Sequence, residues 1–133
     1  MPNDLPLLSG HILLVEDDII NQKIIKNLLV LLGVTVSTAS TGQQALSQLI
    51  DSPGHFDVVF MDVGLPDING IEVTRQVRAS SSALKDVPII ALTGHISIKD
   101  KEACFSVGMN GFISKPTTRE VLHQELRKIL QFQ

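Results

Sequence analysis

Tryptophan and tyrosine are both absent from this 133-residue chain, and cysteine occurs once, as Cys104. A single thiol excludes an internal disulfide and any cysteine-rich metal site. Without Trp or Tyr there is no evident stacking platform for bases or for a flavin ring. Charge of one sign is also scarce. Eleven basic and 14 acidic residues leave a formal net charge of −3, which argues against a protein built chiefly to hold nucleic acid. The longest uninterrupted apolar run extends only from Leu28 to Leu32, far below the roughly 20 residues of a membrane-spanning helix. The first residues lack the basic start and long apolar stretch of a secretory signal, so the expected compartment is cytoplasmic. Apolar residues nonetheless make up 44% of the chain, enough for one core and against disorder.

Met1–Gly10, with two prolines and a Ser-Gly ending, reads as a leader or interdomain linker. From residue 11 to 133 the pattern reads as one domain, in which short apolar runs alternate with longer amphipathic ones. The short runs are His11–Val15, Val34–Thr38, Phe56–Met61, Val87–Leu92 and Gly111–Ser114. Several are continuously apolar, as strands covered on both faces of a parallel sheet should be. The segments between them look helical. In Ile19–Leu32, the residues Ile20, Ile24, Leu28 and Leu31 share a face. Thr41 with Gln44, Asn69 with Glu72, Ser97 with Asp100, and Thr117 with Glu120 have N-cap spacing for the later helices. Gly33, Gly108 and Gly111 fall at junctions, where positive φ is often required. The fourth helix, Ser97–Val107, has the least regular apolar stripe and should be the most loosely held.

Five strand–helix alternations predict an α/β fold with right-handed crossovers and helices on both faces of a parallel sheet. The doubly wound, flavodoxin-like strand order 2-1-3-4-5 fits, and such folds place ligands at the carboxyl ends of their strands. Four of those ends carry chemistry: Glu16-Asp17-Asp18 after the first strand, Asp62 after the third, Thr93 after the fourth and Lys115-Pro116 after the fifth. Brought together, Glu16, Asp17 and Asp62 repel one another and must take up protons or a cation. Oxygen donors suit a hard ion, and Mg²⁺ alongside phosphate fits best; no His or Cys is placed to recruit zinc or copper. A carboxylate, a metal ion, the Lys115 ammonium and the Thr93 hydroxyl form a kit for phosphoryl transfer, with Asp62 as nucleophile.

The motifs Leu14-Val15-Glu16-Asp17-Asp18, Met61-Asp62-Val63-Gly64-Leu65-Pro66-Asp67-Ile68-Asn69-Gly70, Ala91-Leu92-Thr93-Gly94 and Phe112-Ile113-Ser114-Lys115-Pro116 carry a resemblance. From Ile12 to about Phe132 the chain resembles the CheY-like receiver domains of two-component response regulators. The resemblance implies that Asp62 is the phospho-acceptor and that Glu16 and Asp17 form the acidic pair, with Asp17 the direct Mg²⁺ ligand. It implies that the Gly64 carbonyl joins the metal, that Thr93 and Lys115 hold phosphate oxygens, and that Lys115–Pro116 is cis. It also implies a switch, in which Thr93 is drawn to the phosphate and the side chain at position 112 turns into the space left. The face of fourth helix, fifth strand and fifth helix then changes its affinity for partners. Phe112 stands where many relatives carry Tyr, and Gly64 and His95 are unusual two residues beyond Asp62 and Thr93.

The segments Asp17-Asp18-Ile19-Ile20-Asn21-Gln22 and Glu102-Ala103-Cys104 through Gly108-Met109-Asn110 resemble receivers of hybrid sensor histidine kinases. Such a domain is not itself an enzyme beyond catalysing its own phosphorylation and dephosphorylation, while its parent can be a histidine kinase, membrane-anchored in some cases. The implied partner is a histidine kinase or histidine phosphotransfer domain, with no direct nucleic-acid binding, no membrane contact and a monomeric state expected. A stand-alone regulator is the other arrangement, and a non-phosphorylated pseudo-receiver acting as an interaction module is the alternative function. An FMN carrier is disfavoured because Glu16-Asp17-Asp18 would repel its phosphate. A haloacid-dehalogenase-type phosphatase needs its aspartate nucleophile where Glu16 stands. Cys104 reads as a packed residue, and His11, His55 and His123 as solvent-facing; His95 lies near the proposed site. Gly94 leaves an approach to Asp62 open or simply loosens its loop.

Overall fold

The computed structural model describes residues 5–94 and 98–133. A short strand β1 (Leu8–Ser9) precedes β2 (His11–Val15), α1 (Ile19–Leu31), β3 (Thr35–Ala39) and α2 (Gly42–Leu46), which runs on into a π-helical turn, Ser47–Asp51. The chain continues through β4 (Val58–Asp62), α3 (Gly70–Ala79), β5 (Ile89–Thr93), α4 (Ile98–Ser106), β6 (Gly111–Ser114), α5 (Arg119–Leu126) and β7 (Gln131–Phe132). The main sheet is parallel throughout, in the order β3-β2-β4-β5-β6. Counted over these five strands alone, that is the expected 2-1-3-4-5.

Period-two alternation divides each central strand between two cores. Leu13, Val15, Val59, Met61, Ile89 and Ala91 face one side, with Val73, Val77 and Cys104. Ile12, Leu14, Val58, Phe60, Ile90 and Leu92 face the other, with Ile25, Leu29, Leu122 and Leu126. Burial of each such aliphatic side chain is worth about 1.5–3 kcal/mol. The helices therefore clamp the sheet from both sides and leave its carboxyl edge open.

Several local expectations need correction. On α1, Ile20, Ile24 and Leu31 are exposed, at 67%, 52% and 64%, while Gln22, Ile25 and Leu29 are buried. Two stripes at helical spacing compete on this helix, and the polar Gln22 disguises the one that packs. The last cap is Thr118, which accepts from the Val121 N–H at 3.3 Å, one residue beyond the expected Thr117. Thr41 and Asn69 cap as expected, whereas Ser97 lies outside the described residues. Gly33 and Gly108 have φ near +100°; Gly111 does not have positive φ.

His123 is buried, not solvent-facing, with Nε2 2.8 Å from the Pro6 carbonyl and its ring stacked near Phe132. His11 is half-buried between Thr35, Ser37 and Phe56, and His55 is exposed. Of the stretch read as a leader, residues 5–10 pack onto the body. Leu8 is fully buried, and β1 pairs antiparallel with β7. A two-residue strand is too short to show any periodicity, which is why the sequence pattern concealed it. No helix of the described residues is long and apolar enough to cross a membrane.

Candidate functional site

The carboxyl ends of β2, β4, β5 and β6 open on a cleft of about 630 Å³. Glu16, Asp17 and Asp62 form its acidic wall; Thr93, Lys115 and Pro116 face them. Each of the three acidic residues offers a carboxylate oxygen within 4.8 Å of the others. Glu16 is fully buried and Asp62 nearly so, whereas Asp17 is exposed. The hairpin-free parallel register creates this convergence: Asp62 pairs with Leu92, and Thr93 with Ser114. The Lys115 N–H then donates to the Thr93 carbonyl at 2.7 Å, carrying the last strand's end to the cleft.

Lys115 Nζ lies 2.8 Å from Glu16 Oε1 and 3.4 Å from Asp62 Oδ2. Asp62 Oδ1 accepts the Gly64 N–H at 2.9 Å, and Glu16 Oε2 accepts the Asp18 N–H at 3.1 Å. Burial pushes Glu16 up to about 7, and the neighbouring Asp62 adds to the rise against the pull of Lys115. Burial would also raise Asp62, but hydrogen bonding from Glu16, the Gly64 N–H and Asp17, with the Lys115 charge, outweighs it and leaves Asp62 below the ordinary range. The two neighbouring carboxyl groups are thus pushed in opposite directions, Glu16 up and Asp62 down. Lys115 is held above its ordinary value: burial alone would lower it, and its contacts with Glu16 and Asp62 prevail.

The expected residues are therefore brought together: Glu16, Asp17, Asp62, Gly64, Thr93 and Lys115 all line one cleft. Lys115–Pro116 is cis. Gly94 also borders it, and a Cβ there would meet no atom of the described residues within 4 Å. Gly70 is required by close packing, since a Cβ would sit 2.4 Å from the Asp62 carbonyl oxygen. His95 lies outside the described residues. Phe112 is set apart, on β6, half-buried with its ring edge against Phe105 at 6.5 Å between centroids and Lys101 Nζ 4.0 Å over its face. Sequence reasoning missed Asp18 as the α1 cap, which accepts from the N–H groups of Ile20 and Asn21. Its position directly before an apolar-periodic run was the available signal.

The donor set fits a hard divalent ion: three carboxylates and open volume for water, with no histidine or cysteine in the cluster among the described residues. Buried like charges beside one lysine are also what a cation would relieve.

Residues 12–127 match the sequence profile of the response regulator receiver domain. The chain belongs to this family. As a receiver it is 35% identical over 124 residues to hybrid signal transduction histidine kinase L of Dictyostelium discoideum, covering 91% of this chain and 7% of that protein. It is 33% identical over 126 residues to the aerobic respiration control sensor protein ArcB of Escherichia coli, covering 95% of this chain and 16% of the relative. The receiver therefore spans a small part of the curated relatives it matches, several of which are histidine kinases. Among solved structures, the receiver domain of sensor histidine kinase PA1611 from Pseudomonas aeruginosa, with magnesium coordinated in its active-site cleft, superposes with a TM-score of 0.81. Its identity to this chain is 36%, with 91% of this chain and 97% of that one covered. Chemotaxis protein CheY4 of Vibrio cholerae gives 0.83 at 32% identity, covering 92% and 99%. The family places the chain in two-component signalling.

Proposed function

We propose that this receiver accepts a phosphoryl group on Asp62 from a phosphohistidine of a histidine kinase or histidine phosphotransfer domain. The observation that carries this reading is the Asp62 carboxyl group lining an open cleft, with Lys115 Nζ 3.4 Å away. An Asp62 carboxylate oxygen attacks phosphorus; the new P–O bond forms as the P–N bond breaks, and the imidazole leaves with the electron pair. Lys115 and Thr93 stabilise the charge on the transferring oxygens. Asp17, with Glu16, Asp62 and the Gly64 carbonyl, would hold Mg²⁺, which neutralises the repulsion between aspartate and the incoming anion. The PA1611 receiver's cleft magnesium supports that assignment.

The exposed Ile19, Ile20 and Ile24 lie on α1, next to the acidic turn, and give a protein donor an apolar surface to rest on. Thr93 and Phe112 form the switch, biasing the α4–β6–α5 face once phosphate is bound. The loose packing of α4, with Cys104 its only buried residue, supports that assignment. The domain 11–133 acts as a monomeric, cytoplasmic receiver within a hybrid sensor kinase, a parent that can be membrane-anchored. It catalyses only its own phosphorylation and dephosphorylation, and makes no direct contact with nucleic acid or membrane.

The test is treatment with acetyl phosphate and Mg²⁺, followed by mass spectrometry. One base-labile gain of about 80 Da is expected, lost on chelation and in Asp62→Asn. Unchanged labelling of Asp62→Asn removes that residue from its role, and no labelling of the wild type leaves an unphosphorylated interaction module.

A further inference from the structure

The cleft draws on four of the five strand ends, and β3 contributes nothing to it. Yet the turn that follows β3 touches both loops that carry the acidic wall. The Glu16 N–H donates to the Ala39 carbonyl at 3.0 Å. Gln22, buried on α1, donates through Nε2 to the Glu16 carbonyl at 3.0 Å and to Ser40 Oγ at 3.2 Å. The Ser40 N–H is itself held by Gln44 Oε1 at 2.7 Å. From the other side, Asp67 on the β4–α3 loop accepts the Gly42 N–H at 2.8 Å and the Gln43 N–H at 2.9 Å. The turn and that loop meet so closely that a Cβ at Gly42 would lie 2.6 Å from the Ile68 carbonyl oxygen.

We infer that the β3–α2 turn together with the start of α2, Ser40–Gln43, is a positioning element for the metal site, with Gln22 and Asp67 as its two tethers. This deepens the proposed function and rests on its metal reading. Three carboxylates confined within 4.8 Å repel one another, so their backbone must be restrained from outside the cleft. Gln22 fixes the peptide joining Glu16 to Asp17. Asp67 fixes the loop that brings Gly64 to the cleft. Both restraints end on the same turn, so the spacing between the two halves of the site is set there. None of these tethers lines the cleft; they act through Asp17 and Gly64.

The experiment is a MgCl₂ titration by calorimetry on the full chain, run on wild type, Gln22→Met, Ser40→Ala, Asp67→Ala, Asp67→Asn and Asp17→Ala. Gln22→Met and Asp67→Ala should each weaken Mg²⁺ roughly ten-fold, the usual loss when a metal's outer partners are removed. Asp67→Asn, which keeps one acceptor, should recover part of that loss. Lower melting temperatures with unchanged Mg²⁺ affinity would make the tethers merely structural and overturn the inference. Should Gln22→Met fail to fold, Ser40→Ala and the Asp67 pair carry the same test. Weakening in Asp17→Ala alone sinks the positioning role and spares the metal reading. Unchanged affinity in Asp17→Ala sinks the metal reading itself.

Discussion

The two ends of the sheet are built on opposite electrostatic rules. At the carboxyl end, Glu16 and Asp62 are buried beside one lysine, a costly arrangement that keeps a charge ready for a ligand. At the amino end no carboxylates crowd together among the described residues, and Asp57 accepts the His11 N–H at 2.8 Å. The His11 ring lies between Thr35 Oγ1 and Ser37 Oγ and stacks on Phe56, β1 pairs with β7, and Gln133 Nε2 reaches the carbonyls of Leu8 and Gly33. One end stores repulsion for function and the other supplies the stability that tolerates it.

That contrast predicts where substitutions hurt. Leu8→Ala, at the amino end, should lose about 2–5 kcal/mol through the cavity it leaves, measured by urea unfolding with far-ultraviolet circular dichroism because no Trp or Tyr is present. A loss under about 0.5 kcal/mol would show that β1 is dispensable.

At the carboxyl end, the proposed metal reading makes proton and Mg²⁺ competitors for Glu16. Its folded pKa is raised from 4.5 to about 7, so without metal its contribution to stability is complete below about pH 4.5 and lost as pH climbs through about 7. Mg²⁺ affinity should move the other way, rising as pH approaches 7 and levelling above it, by up to about ten-fold per pH unit. Calorimetric titrations from pH 5.5 to 8.5 check this; a flat profile, or an unaltered slope in Glu16→Gln, would contradict it.

Removing the buried imidazole tie with His123→Ala should cost about 1–3 kcal/mol by the same unfolding assay, for the Pro6 carbonyl loses its partner. Smallest of all, Asp17→Ala should change unfolding stability by no more than about 0.5 kcal/mol, as befits an exposed residue away from packing. Stability losses at Asp17 matching those at Leu8 would erase the distinction between the two ends.

Much of this was readable in the chain. Continuous apolar runs such as Ile12–Val15 announce strands covered on both faces, and their alternation with amphipathic segments dictates parallel pairing. Once that pairing holds, Glu16, Asp17, Asp62, Thr93 and Lys115 have to meet at one edge. Where two patterns were equally periodic the sequence was ambiguous, as on α1, where Ile20, Ile24 and Leu31 competed with Ile25 and Leu29. The buried face was chosen by a polar residue, Gln22, whose partner Ser40 is 18 positions away. The β1–β7 pairing and the His123–Pro6 contact join positions over 100 apart and leave no local trace.

Local chemistry along the chain determined which segments become strands and which residue types stand at their ends, because backbone preference and apolar spacing act over a few residues. Only the folded arrangement decided which carboxyl groups are buried beside Lys115, which helix face is covered, and how a turn with no chemistry of its own holds the site in register. Those outcomes depend on burial and on distances between groups remote in sequence, quantities that exist only once the chain has closed on itself.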